Sequence, residues 1–212
     1  MKKIVTRDGS ETYYNEELYE SYHSTSGAAE EAIKKYAEPC RIANFDRVRI
    51  LDVCFGLGYN SAAALDAFRG KLIEITALEN DPAVLDAIYS LDPPFRSYGL
   101  IKEAAKNKLC CDGKAVLKII MGDARESIKT LGAYDFDVVF FDPFSPKKCP
   151  ELWTVGFFSD IYAAMKNGGV LATYSCAKSV RENLTKAGFE VRDGHCVGRR
   201  SPSTLAISRH KL

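Results

Sequence analysis

From residue 48 onward, short β-branched apolar runs alternate with segments of helical period, and this alternation leaves few folds open. VRILDVC (48–54), KLIEITALE (71–79), VLKIIM (116–121), FDVVFFD (136–142) and GVLATYS (169–175) read as strands. SAAALDAF (61–68), PAVLDAIYSL (82–91), ARESIKTLG (124–132), VGFFSDIYAAMKNGG (155–169) and KSVRENLTKAG (178–188) read as helices, several closed by Gly. FEVRDGHCVG and SPSTLAIS form a closing pair of strands. FDVVFFD is apolar on both faces, which places it inside a parallel sheet. The pattern predicts an α/β chain with a Rossmann-like doubly wound sheet, mostly parallel, ending antiparallel. Residues 1–45 stand outside the alternation and are expected as a hairpin and helix over one end of the sheet. Residues 46–212 would be the main domain, and 92–114 an insertion, helical around 99–109.

With 212 residues and 46% hydrophobic content, one domain with an ample core is expected. No apolar run reaches the roughly 18 residues of a membrane span, and the N-terminus lacks an apolar signal core, so a cytoplasmic protein is expected. The seven cysteines are scattered without a C-x-x-C pair, which predicts reduced thiols and neither a disulfide framework nor a metal site. The net charge of +1 excludes a basic coat but hides a gradient. Residues 1–40 carry five Lys/Arg against eight Asp/Glu, while 178–212 carry eight against three. A local basic patch therefore remains open.

In open parallel sheets, ligands bind beyond the carboxyl ends of the strands. Four acids fall there: Asp52, Glu79, Asp123 and Asp142. The turn after Asp52, Cys54-Phe55-Gly56-Leu57-Gly58-Tyr59-Asn60, has Gly where backbone approaches a ligand or takes positive φ. An unliganded tight turn is the alternative. Glu79, with Asn80 beside it, can accept from ribose hydroxyls; alone it is an ordinary strand-end acid. Asp123, next to Ala124, can accept from an adenine amino group or cap the helix that follows. Three acids and a glycine turn suit S-adenosyl-L-methionine better than a dinucleotide. Carboxylates serve ribose, adenine and ammonium, and no phosphate needs a helix N-terminus. Asp142 opens Asp-Pro-Phe-Ser-Pro, a loose match to the Asp/Asn-Pro-Pro-aromatic motif of amine-directed DNA methyltransferases. It is the candidate for orienting and deprotonating an amine.

These pieces together resemble the MnmC-type methyltransferase domains and their stand-alone relatives, which act at the tRNA wobble uridine. The resemblance rests on Asp8-Gly9-Ser10-x-Thr12, Tyr22-His23-Ser24 with Gly27-Ala28 and Glu30, Leu51 to Asn60, and Asp142-x-Phe-x-Pro146. It continues through Pro150-x-Leu-Trp153-Thr154, Gly168-Gly169-x-Leu-Ala-Thr173-Tyr-Ser175, and Gly188-Phe189 leading to Gly198-Arg199-Arg200. Two positions depart from the family: Cys54 and Pro143 stand where Gly is usual. No flavin oxidase domain of the kind found in fused members is expected within these 212 residues.

The resemblance implies transfer of a methyl group from S-adenosyl-L-methionine to the aminomethyl group of wobble uridine in tRNA, by direct displacement. Asp142 would be catalytic and would also border the cofactor. Cofactor contacts would come from Asp52, Phe55, Gly56, Gly58, Asn60, Glu79, Asn80, Asp123 and Ala124, under Tyr22, His23 and Ser24. Phe144, Pro146 and Trp153 would hold the uridine, and Lys147, Lys148, Arg199 and Arg200 the phosphates of the anticodon loop. Trp153 as core packing is the competing reading. A monomer without metal is expected. A spermidine-synthase-like aminopropyltransferase and a non-catalytic binder of S-adenosyl-L-methionine or RNA are the alternatives.

Overall fold

From Val138 to Phe141 the residues of FDVVFFD sort by parity, and that sorting builds the molecule. In a computed structural model describing residues 1–198 and 200–210, Val138 and Phe140 join one apolar core and Val139 and Phe141 a second. Successive strand side chains point to opposite faces, so each central strand feeds both cores. Ile50 likewise belongs to the first core, and Leu51 and Val53 to the second.

The strands are β1 (Lys2–Val5), β2 (Glu11–Asn15), β3 (Glu20–Ser21), β4 (Arg47–Val53), β5 (Leu72–Glu79) and β6 (Leu109–Asp112). They continue as β7 (Ala115–Met121), β8 (Phe136–Phe141), β9 (Met165–Thr173), β10 (Glu190–Asp193) and β11 (Thr204–Ile207). The large sheet runs β10-β11-β9-β8-β4-β5-β7-β6. Its five inner pairings-by-crossover strands, β9, β8, β4, β5 and β7, are mutually parallel. Antiparallel strands finish both edges, β11 and β10 on one side and β6 on the other. Chain order reverses at β4, which has β5 on one flank and β8 on the other. That is the switch point at which doubly wound sheets open a crevice.

Helices α1 (Ala28–Glu31), α2 (Tyr59–Ala67) and α4 (Tyr98–Asn107) feed the first core. Helices α5 (Ala124–Ser127), α6 (Val155–Ala164) and α7 (Lys178–Lys186) feed the second. Between β5 and α4, α3 (Pro82–Ala87) starts with Pro82 behind Asp81, whose side chain accepts from the Ala83 N–H at 2.8 Å. Helix α1 runs directly into a π-helical turn, Ala32–Ala37.

Strands β1 to β3 form a separate antiparallel sheet. Ser10 and Asp8 dock it on α1: Ser10 Oγ accepts from the Ala28 and Ala29 N–H groups at 3.1 Å, and Asp8 Oδ2 from Glu30 N–H at 3.0 Å. A Cβ at Gly27 would lie 2.7 Å from the Asp8 carboxylate, which explains the glycine there. The Asp8-Gly9-Ser10 motif thus satisfies a helix N-terminus.

Two expectations shift. The helix expected over 155–169 ends at Ala164, because Met165 pairs with Phe136 and starts β9 early. The 92–114 insertion contains helix α4 but also β6, which pairs back on β7. No helix among the described residues is long and apolar enough to cross a membrane. All seven cysteines are free thiols.

Candidate active site

A cavity of about 600 Å³ lies at the carboxyl ends of β4, β5 and β8, beneath the β2–β3 hairpin. Its wall includes the tips of three strands, the segment 20–24, and the lip 142–144. Seven carboxylates and three cationic side chains line it, so the cavity is electronegative.

Glu79 organises one side. Its Oε2 accepts from Gly56 N–H at 2.8 Å, and its Oε1 from the Asn80 and Asp81 N–H groups at 2.8 and 2.9 Å. Burial raises its pKa, and these three hydrogen bonds oppose that rise. The turn before it is tight: Cys54, Gly56 and Gly58 have φ of 65°, 55° and 75°. A Cβ at Gly58 would come within 2.5 Å of Ile101 Cγ2, so only glycine fits there. Cys54 tolerates a left-handed backbone that glycine adopts without cost, which accounts for the family's usual residue at that position.

Asp123 caps α5 by accepting from Arg125 N–H at 2.9 Å while its carboxylate also binds the Arg125 guanidinium at 2.5 Å. These bonds to Arg125 lower its pKa. The cap and the cavity wall are one residue here, so the two readings of Asp123 are compatible. Gly56, Asn80 and Ala124 also line the cavity.

Asp142 stands at the end of β8, facing the cavity. Its Oδ1 accepts from the Tyr36 hydroxyl at 2.5 Å and its Oδ2 from Asn60 Nδ2 at 2.8 Å. Burial pushes its pKa up to about 7, and the nearby Glu31 carboxylate adds to the rise. Glu31 and Lys35 form a buried ion pair at 2.5 Å, and Glu31 also accepts from Ser24 N–H at 2.7 Å.

Tyr22, His23 and Ser24 lie on the wall. His23 is buried, stacked on Tyr59 with 4.6 Å between ring centroids, and its Nδ1 meets the Thr12 hydroxyl at 2.9 Å. Burial drops its pKa to about 4, so the ring is neutral at pH 7. The Tyr22 ring meets Phe144 edge-on at 4.9 Å.

Several expected contacts lie elsewhere. Asp52 is fully buried below the turn, where it accepts from Ser61 Oγ at 2.6 Å, and it does not line the cavity. Phe55, Gly58 and Asn60 also sit behind the wall; Asn60 reaches the site by way of Asp142. Trp153 is corrected to core packing: its ring is 3% exposed, edge-on to Phe141 at 5.0 Å, and its indole N–H donates to the Phe144 carbonyl. Next to it, Thr154 caps α6 through Phe157 N–H at 3.2 Å, so Pro-x-Leu-Trp-Thr is a structural motif. Pro146 is half-buried and Lys147 exposed, both off the cavity wall, whereas the exposed Lys148 stands on its rim. Arg200 is exposed, and Arg199 lies outside the described residues.

Among the wall residues that escape a sequence reading are Glu31, Lys35, Cys149 and Tyr174. Tyr36 stands behind them, on Asp142. For Glu31 and Lys35 the available signal is their i,i+4 spacing, which ordinarily marks a solvated helix face.

A doubly wound sheet with an acidic, nucleoside-sized cavity at its switch point defines the class, a Rossmann-like methyltransferase fold. A model of S-adenosyl-L-methionine-dependent methyltransferases matches residues 92–209, more than half the chain. An uncharacterized protein of Methanocaldococcus jannaschii is 37% identical over 210 residues, covering 96% of this chain and 58% of its own length. The tRNA 5-methylaminomethyl-2-thiouridine biosynthesis bifunctional protein MnmC of Ralstonia nicotianae is 30% identical over 206 residues, 87% of this chain but 31% of that protein. The crystal structure of MnmC2 from Aquifex aeolicus superposes with a TM-score of 0.84 at 34% identity, covering 97% of this chain and 69% of that one. Spermidine synthase from Thermotoga maritima shares the fold alone, with a TM-score of 0.61 at 16% identity. The chain belongs to the S-adenosyl-L-methionine-dependent methyltransferases, and its domain is MnmC-like.

The residues present fit that cofactor. The volume is in the range of small-molecule sites. An excess of carboxylates suits a ligand carrying a sulfonium and an ammonium. Glu79, fixed by backbone N–H groups at the end of β5, keeps lone-pair capacity for hydroxyl donors.

Proposed function

We propose that this protein methylates the amino nitrogen of an aminomethyl group on the wobble uridine of tRNA. The observation that carries the reading is the Asp142 carboxylate, held by two donors at the strand end facing the cavity, with its pKa raised to about 7. The names of the relatives supply the substrate class; the MnmC proteins make 5-methylaminomethyl-2-thiouridine in tRNA. In this reading residues 1–45 cap the site and 46–212 form the catalytic domain.

The cofactor supplies a methyl group on a cationic sulfur. An alkylammonium with a pKa near 10 is almost wholly protonated at neutral pH, so the site must take a proton before nitrogen can attack. Asp142 is suited to that task. Tyr36 and Asn60 each occupy one lone pair of a different oxygen, and a second lone pair on each remains for the amine. A carboxylate titrating near the working pH serves as an efficient proton acceptor. With the cofactor bound, its methyl group would be the acceptor of the nitrogen lone pair, and Asp142 would hold the proton that the ammonium gives up. Phe144, with Tyr22 edge-on to it, provides the aromatic wall for the uracil ring, since Trp153 is buried. Neutral His23 lines the same wall segment as Tyr22.

Nucleoside mass spectrometry of aminomethylated tRNA incubated with protein and S-adenosyl-L-methionine tests the reading. Methylation of the aminomethyl-uridine, absent on DNA and putrescine, is expected. Aminopropylation of a polyamine, or no transfer to this tRNA, overturns it. Asp142→Ala should abolish transfer while the cofactor's dissociation constant, followed by calorimetry, changes less than about threefold.

A further inference from the structure

The turn that follows α1 breaks two local rules at once. Glu38 N–H bonds to the Ile33 carbonyl at 2.9 Å, five residues back, which is the closure of a π-helix rather than an α-helix. Within it Ile33 is 36% exposed while Lys35 is 3% exposed, so an apolar side chain faces solvent and a charged one faces the interior. Burying an ammonium and exposing an isoleucine both cost free energy. Such conflicts between local preference and fold concentrate where function requires them. What the register provides is visible in the interior. Lys35 meets Glu31, whose carboxylate also holds Ser24 N–H in the wall segment. Tyr36, fully buried and edge-on to Phe140 at 5.8 Å, places its hydroxyl 2.5 Å from Asp142 Oδ1. Tyr36 itself is behind the cavity wall, so it acts on the reaction only through Asp142.

We infer that Tyr36 is a positioning residue: the π-helical turn delivers its hydroxyl to the Asp142 carboxylate and fixes the oxygen that accepts the amine proton. The inference rests on the reading of Asp142 given above. The charged and titratable groups facing that carboxylate are Tyr36, Glu31 and Lys35 from the helical segment, Asp52 and Cys54 from β4 and its turn, and Tyr174 just past β9. Glu31 opposes ionisation of Asp142, whereas the Tyr36 hydrogen bond and Lys35 favour it. Removing the phenol hydroxyl therefore destabilises the carboxylate form and leaves Oδ1 free to rotate.

Tyr36→Phe keeps the buried ring against Phe140 and deletes one hydroxyl. Its expected signature is a kcat lowered about tenfold or more with KM for S-adenosyl-L-methionine nearly unchanged. The acid limb of the kcat–pH profile should move up by about one unit, and the Asp142 carboxyl resonance in 13C-labelled protein should titrate correspondingly later. A general loss of packing would lower activity without moving that limb. Wild-type transfer combined with an unmoved limb in Tyr36→Phe overturns the inference alone. A wild-type protein that transfers no methyl to aminomethylated tRNA overturns the functional reading and the inference with it. If Tyr36→Phe does not fold, 3-fluorotyrosine at position 36 replaces it. The stronger donor should shift the limb to lower pH, and an unmoved limb again counts against the role.

Discussion

Asp52 shows how a single carboxylate can belong to a site's sequence signature without lining its cavity. One oxygen accepts from Ser61 Oγ, and the other has no partner among the described residues. Burial raises its pKa to about 8. An unfolded aspartate titrates near ~3.9. Between those values the folded chain holds a proton that the unfolded chain has released, so stability falls as pH rises across that window. The slope is at most about 1.4 kcal/mol per pH unit. Asp52→Asn removes the titration, while Asp142 remains in both chains and cancels. Chemical denaturation from pH 5 to 8 should therefore show the variant gaining on the parent as pH rises. Parallel curves would mean that Asp52 is ionised throughout and the unpartnered oxygen is solvated. The position lies at the base of the glycine turn, where a neutral acid leaves the electronegativity of the cavity to the carboxylates that line it.

Among the elements, the two-residue strand β3 has an effect larger than its length. Glu20 accepts from Ser145 N–H at 3.1 Å and from Ser145 Oγ at 2.7 Å, tying the small sheet to the lip that follows Asp142. Glu20→Ala should accelerate amide hydrogen exchange at Ser145 and its neighbours, leave β8 protected, and raise KM for the RNA several-fold. Unchanged exchange at the lip would show that the contact restrains nothing. The larger elements were legible because their signals are local and redundant. FDVVFFD is apolar on both faces, Asp81-Pro82 caps and starts α3, and the two faces of β4 and β8 follow from strand parity. The early start of β9 was hidden, because Lys166-Asn167-Gly168-Gly169 reads as a helix stop and the pairing of Met165 with Phe136 is a long-range event. The β6–β7 hairpin did carry a local signal in Gly113-Lys114, a two-residue turn with Gly first at positive φ. The site divides in the same way. Strand-tip acids follow from topology, but Lys35 and Tyr36 depend on a π-turn whose inserted residue no helical period reveals, and Glu31 of α1 joins the site beside Lys35.

At the scale of the whole molecule, the net charge of +1 combines two separated fields. The cavity is acidic, and much of the C-terminal basic excess is already engaged. Arg192 and Arg209 share Glu190, and Arg181 pairs with Asp193 at 2.7 Å. The bases left exposed near the mouth matter more for a polyanion than the total does. Lys148 stands on the rim with its ammonium 5.7 Å from the centre of the exposed Tyr19 ring, and Arg200 is exposed two residues beyond Gly198 of the wall. A phosphate backbone approaching the lip would find in these two its candidate cationic contacts. Each phosphate neutralised releases counterions, so each contact contributes to the salt dependence of binding. Replacing Lys148 and Arg200 together by Ala should weaken tRNA binding about tenfold at moderate salt and reduce the slope of log Kd against log salt by about two. Fluorescence anisotropy with labelled tRNA across a salt series measures both, and the cofactor's affinity should stay constant because neither side chain meets the Glu79 side of the cavity. A slope equal to that of the parent chain would place the RNA on another face, and would leave the acidic cavity open to a small cationic amine instead.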